Sequence, residues 1–277
     1  MAQPEQASIA VLYLARGADP DWLRSVQRFV ASYKRHAAGS EHRLYVIYKG
    51  FGSKSDLARA ITLFAGLRAG AIHLPDSGFD IGAYFAATDR IEQDCLCLLN
   101  THSELMGSRW LEKLALHLNR REVGLVGATG SFESLLPLDK RFPKFPNVHL
   151  RSNGFMIKRA LFREVLGDVV IREKEEAYRV ESGPTSLTNA VFARGLKVMI
   201  VGRNGRAYSP RWWPASETFR QGDQPNLLIA DNQTRAYAQA NWHVKRSLAE
   251  LAWGEYLDPE KCRTLSADIA AQSCVVA

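Results

Sequence analysis

The run Cys95-Leu96-Cys97-Leu98-Leu99 constrains this chain more than any other stretch. Five consecutive apolar residues with polar residues on both sides fit a strand buried on both faces, as inside a parallel sheet. The run stops abruptly at Asn100-Thr101-His102-Ser103-Glu104. Upstream, residues 71–74 (AIHL) read as another short strand, followed by the polar turn Asp76-Ser77-Gly78 and a helical pattern from Ile81 to about Ile91. In open α/β sheets ligands bind just past the carboxyl ends of the strands. Two polar clusters, residues 76–82 and 100–104, are therefore expected at one edge of one sheet, and that edge is the candidate active site.

The flanking sequence keeps the same alternation. Residues 8–15 and 43–48 read as strands. Asp19-Pro20-Asp21 is expected to open a helix, with an Asp cap and Pro in the first turn. Ser55-Asp56 is expected to cap a second helix over 57–67. Strand and helix alternating through the first hundred residues predict an α/β fold, a mostly parallel central sheet flanked by crossover helices. Further on come a helix near Ser108, a strand over 123–127 and a strand over 148–157 kinked at Asn153-Gly154. Helices are expected over 158–166, over 171–180 and from Pro184 or Thr185 to a Gly195 cap, then a strand over 196–201 and a helical region over 236–257. The irregular segment 132–146 reads equally as a flap over the site or as a surface excursion. Residues 1–205 are expected to form the core, and 206–277 a less regular region of the same domain that caps the acceptor side.

Composition bounds the function classes. The 277 residues suit one large α/β domain, and 46% hydrophobic with 23% charged residues is ordinary for a globular chain. No apolar run approaches the roughly 20 residues needed to cross a bilayer, and the opening MAQPEQAS carries no secretory pattern. The expected location is cytoplasmic. Cys95 and Cys97 sit two apart on a strand and share a face as core residues; Cys274 falls in a tail expected to be weakly ordered. A net charge of +7 suits an anionic partner or a solvated basic surface. Without a dense Lys/Arg run or an RNA-binding motif, nucleic acid is not an expected partner. G-x-G-x-x-G after a strand, a P-loop, a G-x-S-x-G elbow and Cys/His zinc spacings are all missing, which removes the usual signatures of hydride transfer, P-loop phosphoryl transfer and serine hydrolysis.

What remains is a polar sheet edge bearing carboxylate, amide and imidazole. Here the chain resembles GT-A-fold glycosyltransferases, near the family-two enzymes and rhamnan-synthesis-type bacterial relatives. Asp80-Ile81-Gly82-Ala83-Tyr84 stands where that family has a polar residue and Gly before a helix, and Asn100-Thr101-His102 stands where its D-x-D motif is expected. Residues 151–159 (RSNGFMIKR) are similar to its acceptor-side strand, and the segment from Glu181-Ser182-Gly183 to Gly195-Leu196-Lys197 to the one bearing its catalytic acid. The resemblance spans about residues 8–205. It implies transfer of a sugar from a nucleotide-sugar donor to a glycan or lipid-linked acceptor, in bacterial surface polysaccharide assembly, with peripheral membrane contact. On the donor side it implies Asp80, Gly82, Asn100 and His102, with Asp76 and Arg16 nearby. A carboxylate such as Asp80 can accept hydrogen bonds from ribose or base, and it can equally cap the following helix. Glu181 is implied as the general base that deprotonates the acceptor hydroxyl. Asn153 and the paired Trp212 and Trp213 are candidates for the acceptor; such tryptophans stack on sugars or anchor cores. Asn100 and His102 replace both D-x-D carboxylates, and Asn is a poor ligand for a hard cation. Mg²⁺ dependence is thus expected to be weak, with Mn²⁺ at His102 the ion of choice if one is used. Two other readings stay open: a non-catalytic nucleotide- or sugar-binding protein with a degraded D-x-D, and a nucleotidyltransferase.

Overall fold

Eight strands form the central sheet of the computed structural model, which describes residues 7–167, 169, 171–262 and 265. Strands β1 (Ile9–Arg16), β2 (Arg43–Lys49), β3 (Gly70–His73) and β4 (Cys95–Leu99) run parallel to one another. The short β5 (Glu104–Leu105) follows, then β6 (Val123–Gly127), β7 (Gly130–Ser131), β8 (His149–Leu150), β9 (Gly154–Lys158), β10 (Lys197–Val201), β11 (Ala207–Tyr208) and β12 (Ile229–Ala230). The order in the main sheet is β11-β10-β6-β9-β4-β1-β2-β3. The expected α/β class, with a mostly parallel sheet between helices, is what the chain forms.

The parallel order breaks at β9, which pairs antiparallel with both β4 and β6. The strand expected over 148–157 is two strands, and β8 pairs with β7 in a separate ribbon. The reason is directional. The chain leaves β6 at the strand-end edge, makes its excursion, returns through β8 and enters β9 from that same edge. Asn153 and Gly154, at the start of β9, therefore lie beside the ends of β4 and β6.

Period-two alternation sorts the core into two layers. Leu12, Leu14, Leu96 and Leu98 face one side. Val11, Tyr13, Cys97 and Leu99 face the other. Cys95, Cys97 and Cys262 are buried free thiols, and Cys274 lies outside the described residues. Helices α1 (Trp22–Arg35), α2 (Lys54–Phe64), α3 (Phe79–Ala87) and α4 (Trp110–Leu118) follow the first strands. Helices α5 (Arg159–Leu166), α6 (Lys174–Ser182), α7 (Leu187–Phe192), α8 (Asn232–Gln239) and α9 (Trp242–Trp253) complete the set used below.

Three helix starts differ from the sequence expectation. Asp21, not Asp19, occupies the cap position of α1, and its side chain makes no capping bond; the Asp19 carboxylate is drawn instead to Arg16, 2.8 Å away. Helix α2 is capped by Ser53, whose hydroxyl accepts the Asp56 N–H at 3.0 Å. Helix α3 starts two residues early, because Gly78 takes a left-handed φ of 72° and turns the chain into the helix before Asp80.

The excursion 132–146 carries no helix or strand after Ser131, yet Phe132 and Phe142 are buried. Phe132 packs against Trp213, Trp253 and Tyr256. Its main chain donates to Ala252 O at 2.9 Å. The C-terminal residues also reach the strand-end edge, where β12 pairs antiparallel with β5. Among the described residues no helix is long and apolar enough to cross a membrane.

Candidate active site

The ends of β1, β2 and β4 converge with the turn before α3. Arg16 closes β1 and grips Asp76 with two parallel bonds, Nε to Oδ1 and Nη2 to Oδ2, both 2.9 Å. Its Nη1 donates to Asp19 at 2.8 Å. These bonds to Arg16 hold the Asp76 carboxyl below the usual carboxylate range. Arg16 and Asp76, both donor-side candidates, are thus partners of each other.

Lys49 closes β2, and the sequence reading gave it no role. Its side chain is 1% exposed and lies 3.5 Å from Asp76. The ammonium donates to Ser77 O at 2.7 Å and Phe79 O at 3.0 Å, pinning the turn that carries Asp80. Burial pulls its pKa down. A lysine directly after the run Leu44-Tyr45-Val46-Ile47-Tyr48 was the available signal.

Asp80 lies in the first turn of α3, where a negative charge suits the helix dipole. It does not cap the helix. It is half-buried, and among the described residues its carboxylate has no hydrogen-bond partner. Burial and then the charge of Asp19 push its pKa up to about 6, with Glu181 adding to the rise and Lys49 and Arg16 opposing it. Gly82 follows two residues on in α3, where a Cβ would meet Ile171 at 3.7 Å, an ordinary contact.

At the end of β4, Asn100 closes its own turn. Its Oδ1 accepts the His102 N–H at 3.0 Å and the Ser103 hydroxyl at 3.1 Å. The His102 ring stands 3.1 Å from Ser25 Oγ, 3.8 Å from Asp19 and 3.9 Å from Asp21. Arg235 of α8 donates to His102 O at 3.1 Å and to Glu104 at 3.3 Å, so the C-terminal region holds this turn from outside. Among the described residues, no three or more His, Cys, Asp or Glu side chains are grouped so as to hold a metal ion. With Asn100 engaged in its turn, the residues at the D-x-D position do not form a cation cage.

Beside Asp80 lies a second group of polar residues. Helix α6 packs against α3, and near its end Glu181 accepts the Ser152 N–H at 2.9 Å. Asn147 donates to Ser182 O at 2.7 Å, a second clasp between the same two segments. Arg151 pairs with Asp231 at 3.1 Å, their side chains 10% and 2% exposed. Asp231 also caps α8 by accepting the Thr234 N–H at 2.7 Å. Burial alone would push the Asp231 pKa up, but Arg151 and Thr234 outweigh it and bring it down.

Two acceptor candidates are corrected here. Asn153 is 1% exposed; its Oδ1 accepts from Thr129 Oγ1 at 2.6 Å and its amide donates to Ile229 O at 3.2 Å. It fastens β9 to the C-terminal region and offers an acceptor nothing. Trp213 is wholly buried, its indole N–H donating to Tyr208 O at 2.9 Å. It is a core anchor. Trp212 is 47% exposed, with the Arg211 guanidinium 5.0 Å from its ring.

No protein-family model matches the chain, and no curated protein matches it. Solved structures resemble it weakly. GalNAc-T7 with UDP, GalNAc and Mn²⁺ aligns at TM-score 0.48 and 15% identity, over 71% of this chain and 42% of that one, so the match spans less than half of that protein. The 4-diphosphocytidyl-2C-methyl-D-erythritol synthase from Anaerococcus prevotii aligns at 0.44 and 12%, over 71% and 89%. Glucosyl-3-phosphoglycerate synthase from Mycobacterium tuberculosis, in complex with Mn²⁺, UDP and phosphoglyceric acid, aligns at 0.40 and 14%, over 56% and 57%. At these scores the likeness reaches no further than the general plan of a large mixed sheet flanked by helices. The functional reading rests on the chain's own residues.

Proposed function

We propose that the chain is a GT-A-type glycosyltransferase, related to the rhamnan-synthesis-type bacterial enzymes, that moves a sugar from a nucleotide-sugar to a glycan or lipid-linked acceptor. The observation that carries this reading is Asp80: a half-buried carboxylate without a hydrogen-bond partner among the described residues, beside two cations at the ends of parallel strands. An unpartnered carboxylate there suits the hydroxyls of a ribose or the N–H of a base. Arg16, 29% exposed, is the cation that can exchange Asp76 for a phosphate oxygen. Lys49 keeps the turn in place beneath the donor. In this reading residues 1–205 hold the donor and 206–277 close the acceptor side, with Trp212 offering an exposed ring to a sugar.

The chemistry is displacement at the anomeric carbon. The acceptor oxygen forms the new bond, and the bond to the diphosphate breaks with its electron pair leaving on the diphosphate. In the second polar group the Glu181 carboxylate draws off the proton of the attacking hydroxyl, with Ser152 N–H fixing its orientation.

The test is nucleoside diphosphate release from a panel of UDP-, GDP- and dTDP-sugars, in Mn²⁺, in Mg²⁺ and in EDTA. One donor should be consumed, with little dependence on Mg²⁺. Glu181→Gln should lower its turnover by about 10²–10⁴-fold at nearly unchanged donor affinity. Release from none of the donors would overturn the reading, and binding without release would favour a non-catalytic nucleotide-sugar binder.

A further inference from the structure

The second polar group contains a titratable side chain that the sequence reading never named. Residues 147–151 alternate: Val148 and Leu150 enter the core cluster, while Asn147, His149 and Arg151 form a polar, buried row. All three of these side chains are at least nine-tenths buried, His149 at 7% exposure. Two bonds clasp this row to the end of α6, Asn147 to Ser182 O at 2.7 Å and Ser152 N–H to Glu181 at 2.9 Å. Thr188 of α7 adds a third, its hydroxyl accepting the Leu150 N–H at 2.9 Å. His149 lies between the clasp points, so its position relative to Glu181 is fixed from both ends.

The tautomer follows from one contact. His149 Nδ1 stands 2.9 Å from Asn147 O. A carbonyl oxygen can only accept, so Nδ1 carries the proton and, in the neutral ring, Nε2 holds the lone pair. Burial favours that neutral ring, pulling the pKa of His149 down. Glu181 from α6 and Glu133 beyond β7 act in the opposite direction, and Arg151 on the same row acts with burial. The ring is thus neutral at rest, with carboxylates at hand to stabilise its charged form.

We propose that the proton drawn off by Glu181 is lodged on His149 Nε2. The acceptor hydroxyl gives its proton to the Glu181 carboxylate, which hands it on to Nε2; the hydroxyl oxygen forms the bond to the anomeric carbon, and the diphosphate leaves with the electron pair of the broken bond. Glu181 stabilises the imidazolium until the proton passes to water. This inference deepens the glycosyl-transfer reading and rests on it.

Two measurements decide it. Ring ¹⁵N–¹H correlation spectra between pH 5 and 9, with His149 identified by signals lost in His149→Gln or His149→Asn, report its tautomer in the folded wild type. The inference expects Nδ1 protonated and Nε2 bare at pH 7.5, and a further fall in the pKa in Glu181→Gln. Nε2 protonated at that pH would overturn it. In the donor-release assay, His149→Gln should lower turnover by about 10²–10⁴-fold while nucleotide affinity stays within about twofold. Wild-type turnover in a folded His149→Gln would overturn the proton-accepting role and leave glycosyl transfer standing. If the wild type consumes no donor, glycosyl transfer fails, and this role fails with it.

Discussion

The two polar groups at the strand-end edge are built differently. The group proposed to meet the donor, at the ends of β1, β2 and β3, is made of polar side chains with close partners: the partly exposed Arg16 with Asp76 and Asp19, and the buried Lys49 with two carbonyls. Only Asp80 is left unpartnered among them. The group proposed to meet the acceptor is drier, with Asn147, His149, Arg151 and Asp231 all under a tenth exposed and clasped by α6 and α8. Partly exposed pairs such as Arg16 with Asp76 can exchange partners around a charged ligand at small cost, because pairs near the surface are each worth about 0–1 kcal/mol. A buried cluster cannot rearrange; it holds its side chains in fixed protonation states and positions. The difference suits a donor that arrives with its own charge and an acceptor that must lose a proton.

The sharpest way to break this comparison is to remove a charge from the drier group. Asp231→Ala takes away both the partner of Arg151 and the cap of α8. It should destabilise the fold by about 3–5 kcal/mol, since it leaves a buried guanidinium uncompensated. Denaturant unfolding checks this, and a loss below about 1 kcal/mol, the scale of an exposed pair, would mean this group is as soft as the donor side.

The paired tryptophans sharpen it next. Trp213→Ala should cost about 3–5 kcal/mol as a large core truncation, and Trp212→Ala within about 0.5 kcal/mol as a surface change. Equal losses in thermal unfolding would contradict the buried and exposed assignment.

These two neighbours also show what the sequence could convey. Strand CLCLL and its abrupt polar end located the edge correctly, because continuous burial and strand-end chemistry are local signals. The same local reasoning could not tell Trp212 from Trp213, or see that Asn153 would be consumed by Thr129 and Ile229. The partners of Asn153 lie 24 and 76 positions away, and Trp213 is covered by Phe132 from the excursion. Nor could it foresee β9 running antiparallel, since direction is set by where the excursion 132–146 returns. His149 was invisible for a related reason: its row is polar only because α6, distant in sequence, lies over it. Asp80 stands at the strand-end edge as expected, though its alternative capping role went to Gly78, whose positive φ starts the helix early.

A smaller effect separates the two groups by pH. The Asp80 carboxyl is raised from 3.8 to about 6, so between those values the native state keeps a proton that the unfolded chain has lost. Stability from this group falls as pH rises through that window, and the cost is present in full above it. Asp80→Asn removes the ionisable group. It should melt above wild type at pH 8 and level with it at pH 4. A difference independent of pH would show that the carboxylate is not desolvated.

The account stands or falls on Asp80 as the donor's partner. Calorimetric titration of wild type and Asp80→Ala with the nucleotide-sugar consumed in the release assay tests it directly. Loss of one hydrogen-bonded carboxylate should weaken binding by about 1–3 kcal/mol, roughly five- to 150-fold, with the mutant still folded. Unchanged affinity in the folded mutant would remove Asp80 from the site and, with it, the donor side as drawn.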